Sequence, residues 1–244
     1  MSVNNNNTTM DATVAVVDNS HASKAVPTSA SSDLPAPPRP FTTLSFNGGA
    51  VYRGDVKDQK PHGIGKMTYD KLLSDKSDFY QGEWKDGERH GHGRMTSHQL
   101  RMTSHQLHDL KSVYEGNWLN GQKNGEGNMV DFDGSVYVGE FRDNSYNGWG
   151  KMVDDQGNIY SGDWRNGCFE GFGRKVFENG DFYNGQWKEG EMSGHGRMVF
   201  ADGDVYEGEW LDDKMNGRGK MVYAGGDVFI GQWKDNRMTK HTRM

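Results

Sequence analysis

Apolar and polar positions alternate along most of this chain, and the alternation recurs as one unit with a period of 23 residues. The unit is clearest from Tyr206, where YEGEWLDDKMNGRG is followed by KMVYAGGDV. A fixed period of this length is typical of a repeat array, in which neighbouring units bury one another. Units start at Tyr52, Tyr80, Tyr114, Tyr137, Tyr160, Tyr183 and Tyr206, and a partial unit starts at Phe229.

Within each unit, large and small residues fall two positions apart. Counted from the tyrosine as position 0, Tyr, Gly and Trp occupy 0, +2 and +4, and Gly, Gly and usually Met occupy +11, +13 and +15. Side chains two residues apart lie on one face of a β-strand. Each unit therefore predicts two strands with a six-residue connection, followed by a three-residue turn that ends in Gly. The predicted fold class is all-β: one elongated, twisted antiparallel sheet of tandem β-hairpins.

The register of this sheet follows from the same spacing. If position +4 faces +11, then +2 faces +13 and 0 faces +15, and +15 also faces the next tyrosine. One face then carries a row of alternating Tyr and Met, which is a favourable sulfur–aromatic arrangement, beside a row of Gly. Glycine normally weakens a strand, but here it leaves room for the aromatic rings to lie over the backbone.

The opposite, outer face carries charges at two positions. Position +3 is acidic or an amide, and position +14 is basic in all but one unit. We interpret these as solvated cross-strand pairs, each worth ~0.2–1 kcal/mol. The alternative is a basic row that binds phosphoinositide headgroups of a membrane. Its candidate residues are Lys151, Arg174, Arg197 and Lys220.

The outer face also offers two candidate protein-binding surfaces. Position +12 points outward and carries Trp149 and Phe172 in consecutive units, with Ile64 and His195 at equivalent places. These form a candidate partner patch, unless nearby side chains shield them. Positions −1 and +16 are apolar and form a candidate stripe for a dimer or a partner, although β-propensity explains part of it. The stripe comprises Val136, Ile159, Phe182, Val205, Val228, Val153, Val176, Val199 and Val222.

Position +9 changes along the chain, from Pro61, Arg89 and Lys123 to aromatic residues and then methionines. Its parity places it towards the inner face, where it extends the aromatic core, rather than at an outer contact surface. We therefore expect the C-terminal half of the array to be the more stable half and to carry the surface of a homodimer.

The chain divides into three parts. Residues 1–40 hold five of the six prolines and much Asn and Ser, which predicts a disordered tail. The array covers 41–238 and opens with a half repeat at 41–51, and 239–244 form a short basic tail. Loop insertions are predicted at about 70–77 and 97–111, the second because RMTSHQL at 94–100 is repeated verbatim at 101–107.

Composition narrows the function. A net charge of −6 argues against a nucleic-acid partner. A single cysteine, Cys168, fits a reducing compartment, and no apolar run is long enough for a signal peptide or a membrane span, so we expect a cytoplasmic protein. No catalytic, cofactor-binding or metal-binding constellation is present: the Gly-x-Gly pairs lack the third glycine of a dinucleotide site. The five histidines between His90 and His108 match no standard zinc spacing.

The unit resembles the MORN (membrane occupation and recognition nexus) repeat. The resemblance rests on Tyr-x-Gly-x-Trp at 183–187 with Gly-x-Gly-x-Met at 194–198, and it covers about residues 42–238. It implies hairpins in an extended sheet that act as a scaffold or dimerising module, as in radial-spoke heads, other flagellar proteins and parasite cytoskeletons. We therefore expect a non-enzymatic scaffold in a cytoskeletal or axonemal assembly, with a location in a cilium or flagellum. The alternatives are a peripheral phosphoinositide-binding adaptor, or an accessory subunit that positions an enzyme through the partner patch.

Overall fold

The computed structural model describes residues 41–69, 76–103 and 106–243. These residues form a single antiparallel sheet of 17 strands, in which each strand pairs with its neighbours in the sequence. The all-β prediction is confirmed. The N-terminal tail at 1–40 and most of the first predicted loop, 70–75, lie outside the described residues.

The strands follow one another as a meander. Their bounds are β1 (Thr42–Ser45), β2 (Val51–Lys57), β3 (Lys60–Tyr69), β4 (Asp78–Lys85), β5 (Glu88–Thr103), β6 (Gln106–Leu119), β7 (Gln122–Val130), β8 (Val136–Arg142), β9 (Ser145–Val153), β10 (Ile159–Arg165), β11 (Cys168–Val176), β12 (Phe182–Lys188), β13 (Glu191–Val199), β14 (Val205–Leu211), β15 (Lys214–Val222), β16 (Val228–Lys234) and β17 (Arg237–Arg243). Each repeat therefore contributes one hairpin, and β1 is the half repeat. Leu44 of β1 faces Tyr52, in the place that methionine takes elsewhere.

Most of the predicted register is confirmed. In the repeat that starts at Tyr206, Tyr206 faces Met221 and Gly208 faces Gly219. In the connection to the next repeat, Met221 faces Phe229. The three-residue turn is also confirmed: the Asp131 N–H donates to the Ser135 carbonyl at 2.9 Å around residues 132–134. Gly134 ends that turn with φ 93, a left-handed conformation that glycine adopts without strain.

The predicted pairing of position +4 with +11 is wrong within a repeat. Trp210 faces Met215 at +9, because the register shifts at a β-bulge between Gly208 and Glu209. At the bulge, Gly217 at +11 and Arg218 at +12 have no partner residue on β14. Only two residues, Asp212 and Asp213, then form the turn, with φ 48 and 62 as a type I′ hairpin requires. The six-residue connection predicted from the sequence is therefore mostly strand.

The described residues of the second predicted loop insertion, 97–103 and 106–111, are also strand. β5 and β6 continue to pair beyond the repeat, from Ser97 opposite Ser112 to Thr103 opposite Gln106. The duplicated segment thus contributes to a long arm of two paired strands instead of a loop, with residues 97–103 opposite residues 106–112. Seven is an odd number, so residues 101–103 of the second copy point to the face opposite to that of residues 94–96 on the same strand. Met102, the counterpart of the inner residue Met95, is 70% exposed.

The predicted basic tail belongs to the sheet as well. β17 pairs with β16 along its whole length, with Trp233 opposite Met238 and Phe229 opposite Arg243. The array therefore extends to residue 243 and closes with a complete hairpin. The backbone of residues 239–243 has strand partners because the register established by the preceding repeats continues along β16.

The core lies on one face of the sheet. The tyrosines at position 0 are at most 2% exposed, and each one from Tyr80 onward is bracketed by edge-on indole or phenyl rings, as in the 5.2 Å contacts of Tyr206 with Trp210 and Trp233. The Tyr206 hydroxyl donates to the Glu209 carbonyl at 3.0 Å, and the equivalent bond recurs in every repeat from Tyr52. A Cβ on Gly208 would stand 2.6 Å from the Tyr206 hydroxyl, which confirms that glycine makes room for the ring.

Position +9 lies on the inner face, as predicted. Tyr146 stacks on Tyr137 with ring centroids 4.0 Å apart, and Phe169 stacks on Tyr160 at 3.8 Å. In the repeats from Tyr80 and Tyr114 a cation takes this place, and Lys123 Nζ lies 5.1 Å from the centre of the Tyr114 ring. Burial lowers the pKa of the Lys123 ammonium. The C-terminal repeats therefore place apolar rings and thioethers where the repeats from Tyr80 and Tyr114 place a charge.

Candidate interaction surface

Position +3 on the outer face has a structural role that the sequence did not reveal. The Glu209 carboxylate accepts a hydrogen bond from the Arg218 backbone N–H at 3.0 Å, where the bulge leaves that group without a partner in the hairpin. Five other repeats hold the same bond, through Asp55, Glu83, Glu140, Asp163 and Gln186. The sequence did contain a signal for this role. Every residue at position +3 is an acid or an amide, and an amide can accept a hydrogen bond but cannot form an ion pair.

The interpretation of +3 and +14 as cross-strand ion pairs is therefore wrong. Within the described parts of the chain, no ion pair joins these two positions, and Arg94 at +14 pairs with Glu115 at +1, at 3.8 Å. The basic row itself is present on the outer face. Arg197 is flanked by Asn184 and Glu207. The remaining members of the row are Lys151, Arg174 and Lys220, all of them exposed.

The apolar stripe is one continuous row across the outer face. Val136 faces both Val130 and Val153, and Ile159 faces both Val153 and Val176. The row continues through Phe182, Val199, Val205, Val222 and Val228. Its members are half-buried or exposed, with Val136 38% exposed. No second layer covers it among the residues that the structure describes.

The partner patch is only partly brought together. Trp149 and Phe172 are 56% and 66% exposed, so neighbouring side chains do not shield them. Asp163 of β10 lies between them: it faces Trp149, and its carboxylate accepts the Phe172 backbone N–H. His195 follows on the same row, two strands further on. Ile64, on β3, is exposed but lies six strands from Trp149.

A groove that sequence reasoning missed runs between two outer rows. Its volume is about 650 Å³, and it crosses β11 to β16. Phe172, His195 and Arg218 form one wall, Arg197, Glu207 and Lys220 belong to the other, and Gly185, Gly196, Gly208 and Gly219 form the floor. A separate cavity of about 260 Å³ lies between Glu126, Asn128, Val138, Glu140 and Trp149. The sequence placed these residues on rows but gave no measure of the depth between the rows.

Other chemistry is sparse in the described residues. They contain no group of three or more His, Cys, Asp or Glu side chains placed to hold a metal ion. Cys168 is exposed and carries a free thiol. The search for membrane-spanning segments found no helix of sufficient length and apolarity in the part of the chain that the structure describes.

The sequence model of the MORN repeat matches eight segments of the chain. They are residues 52–71, 80–98, 114–136, 137–159, 160–182, 183–205, 206–228 and 229–239. A comparison with curated proteins found no match. A comparison with solved structures found the SAS-4 (dCPAP) TCP domain of Drosophila melanogaster in complex with a proline-rich motif of Ana2 (dSTIL). The two chains share 13% identity with a TM-score of 0.39, over 85% of this chain and 99% of that one.

Proposed function

This chain belongs to the MORN repeat family, and from that premise we propose that it is a non-enzymatic scaffold for protein partners within a cytoskeletal or axonemal assembly. The observation that carries the proposal is the outer face. Its apolar row spans consecutive strands without a covering layer among the described residues, and Trp149 and Phe172 stand exposed on the same face. Large exposed apolar surfaces of this kind are typical of protein-binding sites.

The inner face supports a rigid rather than a catalytic role. Its tyrosine hydroxyls and indole N–H groups are committed to backbone carbonyls, as in the bond of 3.1 Å from Trp187 Nε1 to the Gly173 carbonyl. Such bonds fix the geometry of each hairpin on its neighbour. A sheet held in this way keeps its contact points at constant spacing, which is what a scaffold requires.

The test is to tag the full chain in its own cells, locate it, and extract the cells with detergent. We expect the tagged protein to stay with the insoluble cytoskeleton, in a cilium or flagellum where the cell has one. A variant with Trp149→Ser and Phe172→Ser should move to the soluble fraction, whereas Phe46→Ser, an exposed aromatic outside the patch, should not. Complete extraction of the wild-type protein would contradict the cytoskeletal role.

We also propose that the apolar row in the C-terminal half forms a homodimer. Phe182 faces Val176 and Val199 there, so two copies could bring like rows together. Size-exclusion chromatography of the full chain with light scattering should give twice the monomer mass at high concentration. Phe182→Ser with Val222→Ser should shift the equilibrium to the monomer. A wild-type protein that stays monomeric would refute the dimer and leave the scaffold role untouched.

A further inference from the structure

The groove over β11 to β16 is chemically uneven along its walls. Arg197, Arg218 and Lys220 line it with exposed side chains, together with His195. Among its lining residues, all within the described part of the chain, Glu207 is the one carboxylate. Three full positive charges therefore face the groove against one negative charge.

Two acids lie near these cations, and Glu207 faces both Arg197 and Lys220 across the strands. The carboxylate of Glu209, which faces His195 across the strands, accepts the backbone N–H of Arg218 at the bulge. Within the described residues, no ion pair joins Arg197, Arg218 or Lys220 to a carboxylate. The charges are therefore available to an anionic ligand that enters the groove.

The dimensions of the groove fit a single extended polypeptide. It crosses six strands, and five spacings of about 4.8 Å give a length of about 24 Å. An extended chain rises about 3.3 Å per residue, so about seven residues fit. The two walls stand two residues apart along each strand, a separation of about 7 Å that admits one chain over the glycine floor.

A planar anionic membrane fits this face less well. The separate cavity on β7 to β9 of the same face holds the carboxylates of Glu126 and Glu140 and, among its lining residues, no cation. A flat surface that contacts the whole face would meet both signs of charge. A narrow chain can bind the basic section alone and place an apolar side chain against the exposed ring of Phe172.

We propose that this section of the groove binds an extended acidic segment of a partner protein. Arg197, Arg218 and Lys220 bind its carboxylates, and Phe172 packs against an adjacent apolar side chain. Charge-assisted hydrogen bonds from arginine to carboxylate are strong and geometrically specific, which suits recognition along a one-dimensional track. This inference names the chemistry of the partner for the interaction role proposed above, and it rests on that role.

The test uses the full chain and a synthetic ten-residue probe that carries alternating glutamates and a central phenylalanine, measured by fluorescence anisotropy. The wild-type protein should bind this peptide on the order of tenfold more tightly than a peptide with glutamine in place of each glutamate. A tenfold difference in affinity corresponds to about 1.4 kcal/mol. Arg197→Glu with Lys220→Glu should abolish the preference. The matched control is Arg94→Glu, which holds the same repeat position on β5 outside the groove and should leave the preference intact.

Three outcomes would overturn the inference. The wild-type protein binds the glutamate and glutamine peptides equally, or the double reversal changes nothing although its circular dichroism and thermal unfolding match the wild type. In the third outcome, the wild-type protein binds no peptide but sediments with vesicles that contain phosphatidylinositol bisphosphate, and the double reversal abolishes that sedimentation. That result would assign the cations to a membrane. If the double reversal lost the peptide preference but stayed with the cytoskeleton, the groove would bind acidic segments while other surfaces carried the scaffold role.

Discussion

Glu209 accepts a hydrogen bond from the backbone N–H of Arg218 at 3.0 Å, across the bulge of its own repeat. Gln186 makes the same bond to His195 at 2.7 Å, so a neutral amide can do this work. We therefore expect Glu209→Gln to change the free energy of unfolding by less than ~0.5 kcal/mol. Glu209→Ala should cost ~1–2 kcal/mol, because it leaves the N–H of the bulge without its acceptor.

Urea denaturation of the two variants measures the difference. The control is Glu207→Ala, which removes an exposed carboxylate on the same strand that accepts no such backbone bond and should have little effect. Equal losses for Glu209→Ala and Glu209→Gln would show that charge, rather than the acceptor oxygen, matters at this position.

The glycines beneath the tyrosine rings give a second prediction. A Cβ at Gly208 would lie 2.5 Å from the Gly219 Cα and 2.6 Å from the Arg218 carbonyl oxygen, which are backbone atoms that cannot move aside. Gly208→Ala should therefore destabilise the array by about 2–3 kcal/mol, as overpacking does in a tight core. Gly225→Ala is the control, since a Cβ there would meet nothing within 4 Å. A Gly208→Ala protein with wild-type stability in urea would contradict this account of the glycine row.

The alternation of the sequence was enough to predict the rows but not the bulge. A tryptophan at +4 lies on the inner face whether it faces +11 or +9, so parity alone cannot separate the two registers. The turn chemistry could have done so: Asn120-Gly121 and Asn166-Gly167 are typical of a two-residue type I′ turn. This sequence signal is weaker in other repeats, where Asp213 or Asn144 replaces glycine as the second turn residue and adopts a left-handed φ of 62 or 69.

The groove was beyond sequence reasoning for a different reason. Position +12 carries Arg218 and position +1 carries Glu207, and the repeat numbering assigns both to the outer face. Whether two rows enclose a groove depends on the local twist of β11 to β16, and that twist is a property of the assembled sheet. The arm at 97–103 and 106–112 was missed because residues outside the period were interpreted as a loop, although they pair as strands.

The duplicated segment supplies a matched pair of methionines for a third prediction. Met95 packs against the buried core, whereas Met102 of the second copy is 70% exposed on the other face. Met95→Ala should cost ~1–2 kcal/mol, which is less than a fully buried methionine because Met95 is half-buried. Met102→Ala should change the free energy of unfolding by less than ~0.5 kcal/mol. Equal effects of the two substitutions in thermal and urea unfolding would show that the odd-numbered duplication does not invert the faces.

The buried tyrosines predict a loss of stability at alkaline pH. Burial raises the pKa of Tyr206 to about 12, and it raises the pKa of Tyr52 to about 12 as well, whereas an unfolded tyrosine titrates near 10. Between these values the unfolded chain has lost the protons that the folded chain still holds, so stability falls as pH rises. The contribution is complete below about pH 10 and is lost between about pH 10 and pH 12. Tyrosinate absorbance, recorded with and without guanidinium, measures both titrations, and coincident curves would contradict the prediction.

The change at position +9 predicts that the two halves of the array differ in local stability. Arg89 and Lys123 keep a charge over aromatic rings, with Lys123 desolvated enough to lower its pKa. Phe169 and Met192 place apolar groups there instead, and Met192 is 7% exposed. A buried charge carries a desolvation cost that a stacked ring or a thioether avoids.

Because contacts in the array join neighbouring strands, local opening should report this difference directly. Hydrogen exchange of the full chain, followed by mass spectrometry, should show slower exchange in the strands of the repeats that start at Tyr160 and Tyr183 than in those that start at Tyr80 and Tyr114. Lys123→Met, which installs the C-terminal residue type in an early repeat, should slow exchange in that repeat and leave the repeat from Tyr183 unchanged. Faster exchange after this substitution would mean that the cation–ring contact stabilises its repeat more than burial of the charge costs.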